Sequence, residues 1–134
     1  MRLMVMDGQG GGVGKILVEA IVAAMPDAEV IAVGTNAMAT ANMMKGGTTL
    51  GATGENAVLY NCRRVDAICG PIGILMANAM LGEITPAMAQ AVSGAEKPVF
   101  LVPMSKCSAK VVGVSDKKLS EYVREVVLEL KNLA

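Results

Sequence analysis

Short apolar runs alternate along the chain with stretches of helical period. Residues 2–6, RLMVM, form a continuous apolar run of strand length. After a glycine cluster, Val13, Ile16, Leu17, Ala20, Ile21 and Ala24 recur on one face of a 3.6-residue period, and Pro26 stops the helix they predict. Residues 29–34, EVIAVG, repeat the strand pattern. Thr35 or Asn36 then stands where a cap belongs for a small-residue, Met-rich helix that runs through Met44 and ends at Gly46-Gly47. Residues 55–64 predict a short helix and residues 65–70, VDAICG, a third strand. Thr85-Pro86 is a helix start, with Thr as cap and Pro at the first helical position. Residues 97–103, KPVFLVP, and 109–114, AKVVGV, predict a fourth and a fifth strand. The last helix has the sharpest pattern: Leu119, Tyr122, Val123, Val126, Val127, Leu130 and Leu133 make one stripe, with Glu121, Glu125, Glu129 and Lys131 off it.

Continuous apolar strands alternating with helices imply a mostly parallel sheet covered on both faces. The expected architecture is a doubly wound, five-stranded, Rossmann-like α/β fold, built as a single domain over residues 1–134. In such sheets ligands sit outside the carboxyl ends of the strands. Here those ends read DGQGGG, GTN, GPIG and PMSK, all rich in Gly, Pro or small polar residues.

Composition narrows the function classes. An apolar share of 53% supplies a full core and excludes a disordered chain. Two Tyr, one Phe and no Trp leave no stacking platform for single-stranded nucleic acid, and twelve basic residues against twelve acidic leave no basic footprint. No nucleic-acid partner is expected. The chain has no His, which removes the commonest transition-metal ligand and general base, so no metal site is expected either. Cys62, Cys69 and Cys107 form no CxxC pair and read as small buried hydrophobes of a cytoplasmic protein. The apolar run at the N-terminus is too short for a signal peptide. Residues 67–95 carry Glu83 as their one charge, but Pro71, Gly73, Asn78 and Pro86 interrupt them before a membrane span accumulates. Residues 30–54 hold only Lys45. A small monomer has too much surface to hide both stretches. They therefore predict a homo-oligomer that buries residues from 72–84 or 37–45, with Met38, Met43, Met44, Met76 and Met80 as adaptable contacts.

The candidate chemistry begins at the glycine cluster. Five of the seven residues Gly8, Gln9, Gly10, Gly11, Gly12, Val13 and Gly14 are glycine, between a predicted strand and a predicted helix. Glycine lets backbone N–H groups approach a ligand, and a helix N-terminus favours an anion. The loop predicts a cradle for a phosphate-bearing small molecule, a nucleotide or dinucleotide being the best match; the alternative is a strand-to-helix turn that only packs. Thr35 and Asn36, and the turn Gly70, Pro71, Ile72 and Gly73, would complete the edge, with Asn36 where dinucleotide folds carry an acid for the ribose. Asn36 reads equally as a helix cap, and Asp7 as an anion on the helix N-terminus.

The loop resembles that of short-chain dehydrogenases, with Gly8, Gly12 and Gly14 at the three glycine positions and Asp7 replacing Thr. The catalytic Y-x-x-x-K pair of that family is missing, since Tyr60 is followed by Arg64 and Tyr122 by Val126. GGVGK, residues 11–15, resembles the end of a nucleoside triphosphatase loop, where Lys15 would meet phosphates. Ile16 stands where Ser or Thr would hold Mg²⁺ and Gln9 where the first Gly belongs, so hydrolysis by that mechanism is not expected. Over nearly its whole length the chain resembles a small bacterial family described as a domain of unknown function. The strings DGQGGGVGK (7–15), VGTNAMAT (33–40), GATGENA (51–57), GPIGI (70–74), NAMLGEITP (78–86) and the stretch 106–123 carry that likeness, which implies a Rossmann-like fold. Thr53 to Asn56 read as a helix cap. Lys106 and Cys107 follow the fourth strand, and Glu83 reads first as an anion at the start of the helix after Thr85. Two other functions stand beside ligand binding: a non-catalytic subunit whose loop is structural, and a small enzyme shared across a dimer with Asp7, Glu83 or Cys107 as acid, base or nucleophile.

Overall fold

The computed structural model describes residues 1–104 and 109–134. The order is β1 (Arg2–Asp7), α1 (Gly12–Ala24), β2 (Glu29–Gly34), α2 (Ala37–Met44), β3 (Leu50–Thr53), α3 (Glu55–Asn61), β4 (Ala67–Pro71), a 3₁₀ turn (Ile72–Leu75), α4 (Pro86–Ser93), β5 (Val99–Val102) and α5 (Leu119–Leu133). The five strands form one all-parallel sheet in the order β3-β2-β1-β4-β5. Leu3 lies opposite Val30 on one side and Ala67 on the other, so β1 is the central strand.

The uninterrupted apolar run of β1 follows from this position. Alternate residues of a strand face opposite ways. Leu3 and Val5 join α1 and α5 in one core, with Leu17, Ile21, Val126 and Leu130. Met4 and Met6 join Val58 of α3 and Met88 and Val92 of α4 in the other. Both layers need apolar residues, so no polar alternation survives. Cys62 and Cys69 are buried in these layers with free thiols; burial pushes both up, Cys69 to about 12, which leaves them unreactive hydrophobes.

Two elements depart from expectation. Residues 109–114 form no strand; they are irregular and exposed, with Gly113 at φ 90° breaking the extended run and Val112 95% exposed. The fifth strand is instead β3, whose LGAT sequence pairs along β2 at the opposite edge. Its glycine and its mostly exposed side chains carry none of the β-branched signal of a buried strand. The short helix predicted over 55–64 ends at Asn61, and its N-cap is Gly54 at φ 99° with no side-chain cap bond. Asn36 and Thr85 cap α2 and α4, accepting the Ala39 N–H at 2.8 Å and the Met88 N–H at 3.1 Å. Among the described residues no helix is long and apolar enough to cross a membrane.

Leu130 is fully buried where α5 meets α1, whereas Leu128 on the same helix is 57% exposed. Leu130→Ala is expected to cost about 2–5 kcal/mol. Leu128→Ala should stay within about 0.5 kcal/mol, both read from denaturant midpoints.

Candidate functional site: a cleft over the glycine loop

At the carboxyl end of the sheet a cleft of about 660 Å³ opens over the ends of β1 and β4. Residues 7–13 form one wall, Pro71 and Gly73 lie beneath, residues 76–81 form the facing wall, and Met104 at the end of β5 closes one side. Among the described residues that line it Asp7 is the one charged residue, and methionine is the commonest of the side chains that bound it. Among the described residues no cluster of His, Cys, Asp or Glu has the makings of a metal site.

Three of the loop glycines are required by packing. A Cβ on Gly8 would lie 2.7 Å from Met80 Sδ and 2.8 Å from Thr35 Oγ1. One on Gly11, at φ 69°, would lie 2.7 Å from the carbonyl oxygen of Ala39, and one on Gly14 would lie 2.3 Å from Met43 Sδ. Gly10 and Gly12 differ: a Cβ on either would meet nothing within 4 Å, and both line the cleft. The fold leaves room for a side chain at both.

Most N–H groups of the loop are already engaged. Asp7, 5% exposed, turns its carboxylate back under the loop; Oδ1 accepts the Gly8 N–H and Oδ2 the Gly14 N–H, each at 2.8 Å. It does for α1 what a side-chain cap would do, since Gly11 at the cap position has none. Gly11 N–H bonds to the carbonyl of Gly8 at 2.9 Å. The Gln9 N–H goes to Glu83 Oε1 at 2.8 Å, with Gln9 itself at φ 49°. Gly10 and Gly12 retain N–H groups with no acceptor among the described residues.

The two carboxylates shift in opposite directions. Burial pushes Asp7 above its ordinary value, against the pull of the Gly14 and Gly8 N–H groups, and the nearby Glu83 charge adds to the rise. Glu83 is held below its ordinary value, chiefly by the Thr35 hydroxyl and the Gln9 N–H, with the Asn36 amide adding to them against desolvation. Thr35 Oγ1 and Asn36 Nδ2 donate to the same Oε1, at 2.7 and 2.9 Å. Glu83 therefore ties the glycine loop to the end of β2. Its expected place at the start of α4 goes to Glu55, which accepts the Thr85 hydroxyl at 2.6 Å.

Of the residues expected from sequence, Gly8, Gln9, Gly10, Gly11, Gly12, Val13, Pro71 and Gly73 line the cleft. Gly14 packs behind it on Met43, and Gly70 lies against the carbonyl of Met6. Lys15 is outside the lining, and Ile72 lines a neighbouring groove with Val13 and Met104. Thr35 and Asn36 do not line it either. Asn36 has both ends of its amide engaged: Oδ1 caps α2, and Nδ2 bonds Gln9 O at 3.0 Å as well as Glu83. Lys106 and Cys107 lie outside the described residues. The wall of residues 76–81 carries no sequence signal of a cleft: the pattern places Met76 and Met80 in an oligomer interface, and both line the cleft. Asn78, Met80 and Leu81 hold φ of 67°, 58° and 58°, a region that side chains other than glycine seldom occupy. The bonds Asn78 N–H to Ile84 O at 2.7 Å and Ile84 N–H to Ala79 O at 3.1 Å close the wall on itself.

Residues 2–134 match the domain of unknown function DUF3842, and the chain belongs to that family. No curated protein matches it in sequence. Among solved structures it is similar to a dodecameric FMN-dependent Ubix-like decarboxylase from Escherichia coli O157:H7, with 17% identity, a TM-score of 0.52, and coverage of 99% of this chain and 94% of that one. At that identity the likeness is one of fold.

The contrast among the glycines is measurable. Gly14→Ala is expected to cost about 1–3 kcal/mol by overpacking against Met43. Gly12→Ala, in open space at the first turn of α1, should leave stability unchanged or raise it by up to about 1 kcal/mol, read from urea unfolding.

Proposed function

We propose that the cleft binds a phosphate-bearing small molecule of the nucleotide class. Its anionic end would sit on the N–H groups of Gly10 and Gly12, and its body between Met104 and the wall of residues 76–81. One observation carries the reading. Among the described residues no acceptor meets the N–H groups of Gly10 and Gly12, which stand in open space at a helix N-terminus, though packing would admit a side chain at both. A loop that served only as a turn is accounted for by Gly8, Gly11 and Gly14. An anion approaching the backbone gives the other two a reason to lack Cβ atoms. The apolar lining suits a largely uncharged ring body. The FMN-dependent neighbour shares the fold, so FMN is the first probe to try, followed by NAD(H), ATP and acyl-CoA.

A cytoplasmic homo-oligomer is part of the same reading. Much of the two apolar stretches packs within the chain, as Met43, Ile74 and Ile84 do, but Leu81 stays 98% exposed at the rim of the cleft and Met38 is 71% exposed. The dodecameric assembly of the neighbour supports a homo-oligomer, and the exposed Leu81 is our choice for its interface.

A ligand at 100 times its Kd should stabilise the protein by about 2.7 kcal/mol, visible as a rise in Tm. Gly12→Val should fold and lose that rise. If no phosphate-bearing compound shifts Tm, or if one shifts Gly12→Val equally, the reading is wrong. For the assembly, Leu81→Glu should lower the sedimentation mass; a wild-type protein that sediments as a monomer would remove that part.

A further inference from the structure

The cleft is one-sided. Its lining comes from the loop after β1, the turn after β4 and the end of β5, and no residue of β2 or α2 contributes to it. In a dinucleotide-binding sheet the second nucleotide lies over β2, where an acidic residue at the strand end holds its ribose. Here a carboxylate bridges the loop to the end of β2 in that half of the crevice. Glu83 reaches across from the far wall and accepts Gln9 N–H, Thr35 Oγ1 and Asn36 Nδ2 on one oxygen, at 2.7 to 2.9 Å. A Cβ on Gly8 would lie 3.2 Å from that same oxygen, so the carboxylate sits directly on the loop. Asn36, at the ribose-holding position, has no free hydrogen-bonding end, because the Ala39 N–H, Gln9 O and Glu83 take them.

We infer that Glu83 is the specificity-determining residue of the cleft, closing its β2 half so that it accepts mononucleotide-type phosphate monoesters and rejects dinucleotides. The inference rests on the phosphate-binding reading above and names its substrate class. Charge points the same way. A diphosphate linkage would carry its second phosphate from Gly10 and Gly12 toward β2, and so toward the Glu83 carboxylate, with no Lys or Arg among the described residues that line the cleft to offset it. A monoester places its one phosphate at Gly10 and Gly12 and directs its body over β4 and β5, where the lining is apolar.

Titration calorimetry with two probe pairs, FMN against FAD and AMP against NAD⁺, tests this, since each pair differs by the second nucleotide alone. The wild-type protein should bind the mononucleotide of at least one pair about tenfold more tightly than its dinucleotide. Glu83→Ala should bring that ratio to within about threefold, and Glu83→Gln, which keeps an oxygen acceptor for the three donors but loses the charge, should restore it in part. Thr35→Val, which removes one donor and leaves Glu83 in place, should move the ratio in the same direction as Glu83→Ala even where Glu83→Ala fails to fold. Dinucleotides bound as tightly as mononucleotides by the wild type, or a ratio that none of these substitutions moves, overturns the role of Glu83 and leaves the phosphate reading standing. Failure of all four probes to bind the wild type overturns the role of Glu83, and the phosphate reading falls with it if ATP and acyl-CoA also leave Tm unmoved.

Discussion

The carboxyl edge of the sheet is organised by a carboxylate that faces away from solvent. Asp7 ends β1 and bonds the N–H of Gly8 immediately after it and the N–H of Gly14 seven residues on. Those two bonds hold the chain in a closed turn and fix where α1 begins. They also draw off donors that a helix N-terminus would otherwise present to a ligand. An ionised group in this position is costly, as its raised pKa records, and hydrogen bonding by the loop offsets that cost. The loop's shape and the small number of N–H groups it leaves open have the same cause.

The second carboxylate extends that order outward. Glu83 takes the next N–H, that of Gln9, and couples it to the end of β2, while Asn42 Nδ2 holds the carbonyl of Gly10 at 2.8 Å from α2. The loop is braced on the β2 side and open on the β4 side. That asymmetry, more than the number of glycines, sets what the cleft can admit.

Much of the fold was legible because burial on both sheet faces leaves a simple mark. The runs at 2–6 and 29–34 and the stripe from Leu119 to Leu133 correspond to β1, β2 and α5. The strand β3 was not legible, since an edge strand with Gly51 and exposed Leu50 buries little. Residues 109–114 misled because valines at strand spacing look alike whether or not a partner strand exists. At the site, a strand, a glycine cluster and a helix in series announced the loop. The facing wall has no such mark, because left-handed backbone at Met80 and Leu81 follows from tertiary context and not from residue type. Glu83 was misplaced for a related reason: Gln9 is 74 positions away in sequence, and local helix-start reasoning cannot see it.

The wall of residues 76–81 satisfies its backbone largely through bonds among residues 76–84, and Ala77, Asn78 and Leu81 contribute nothing to either core. It behaves as an insert carried between β4 and α4. Ala77 and Leu81 are free to change with little penalty to the sheet beneath, whereas Met80, which packs on a core and on Gly8, and Asp7, Gly11 and Gly14 are not. The shape of the cleft can thus be altered from this side without disturbing the packing that holds the sheet together.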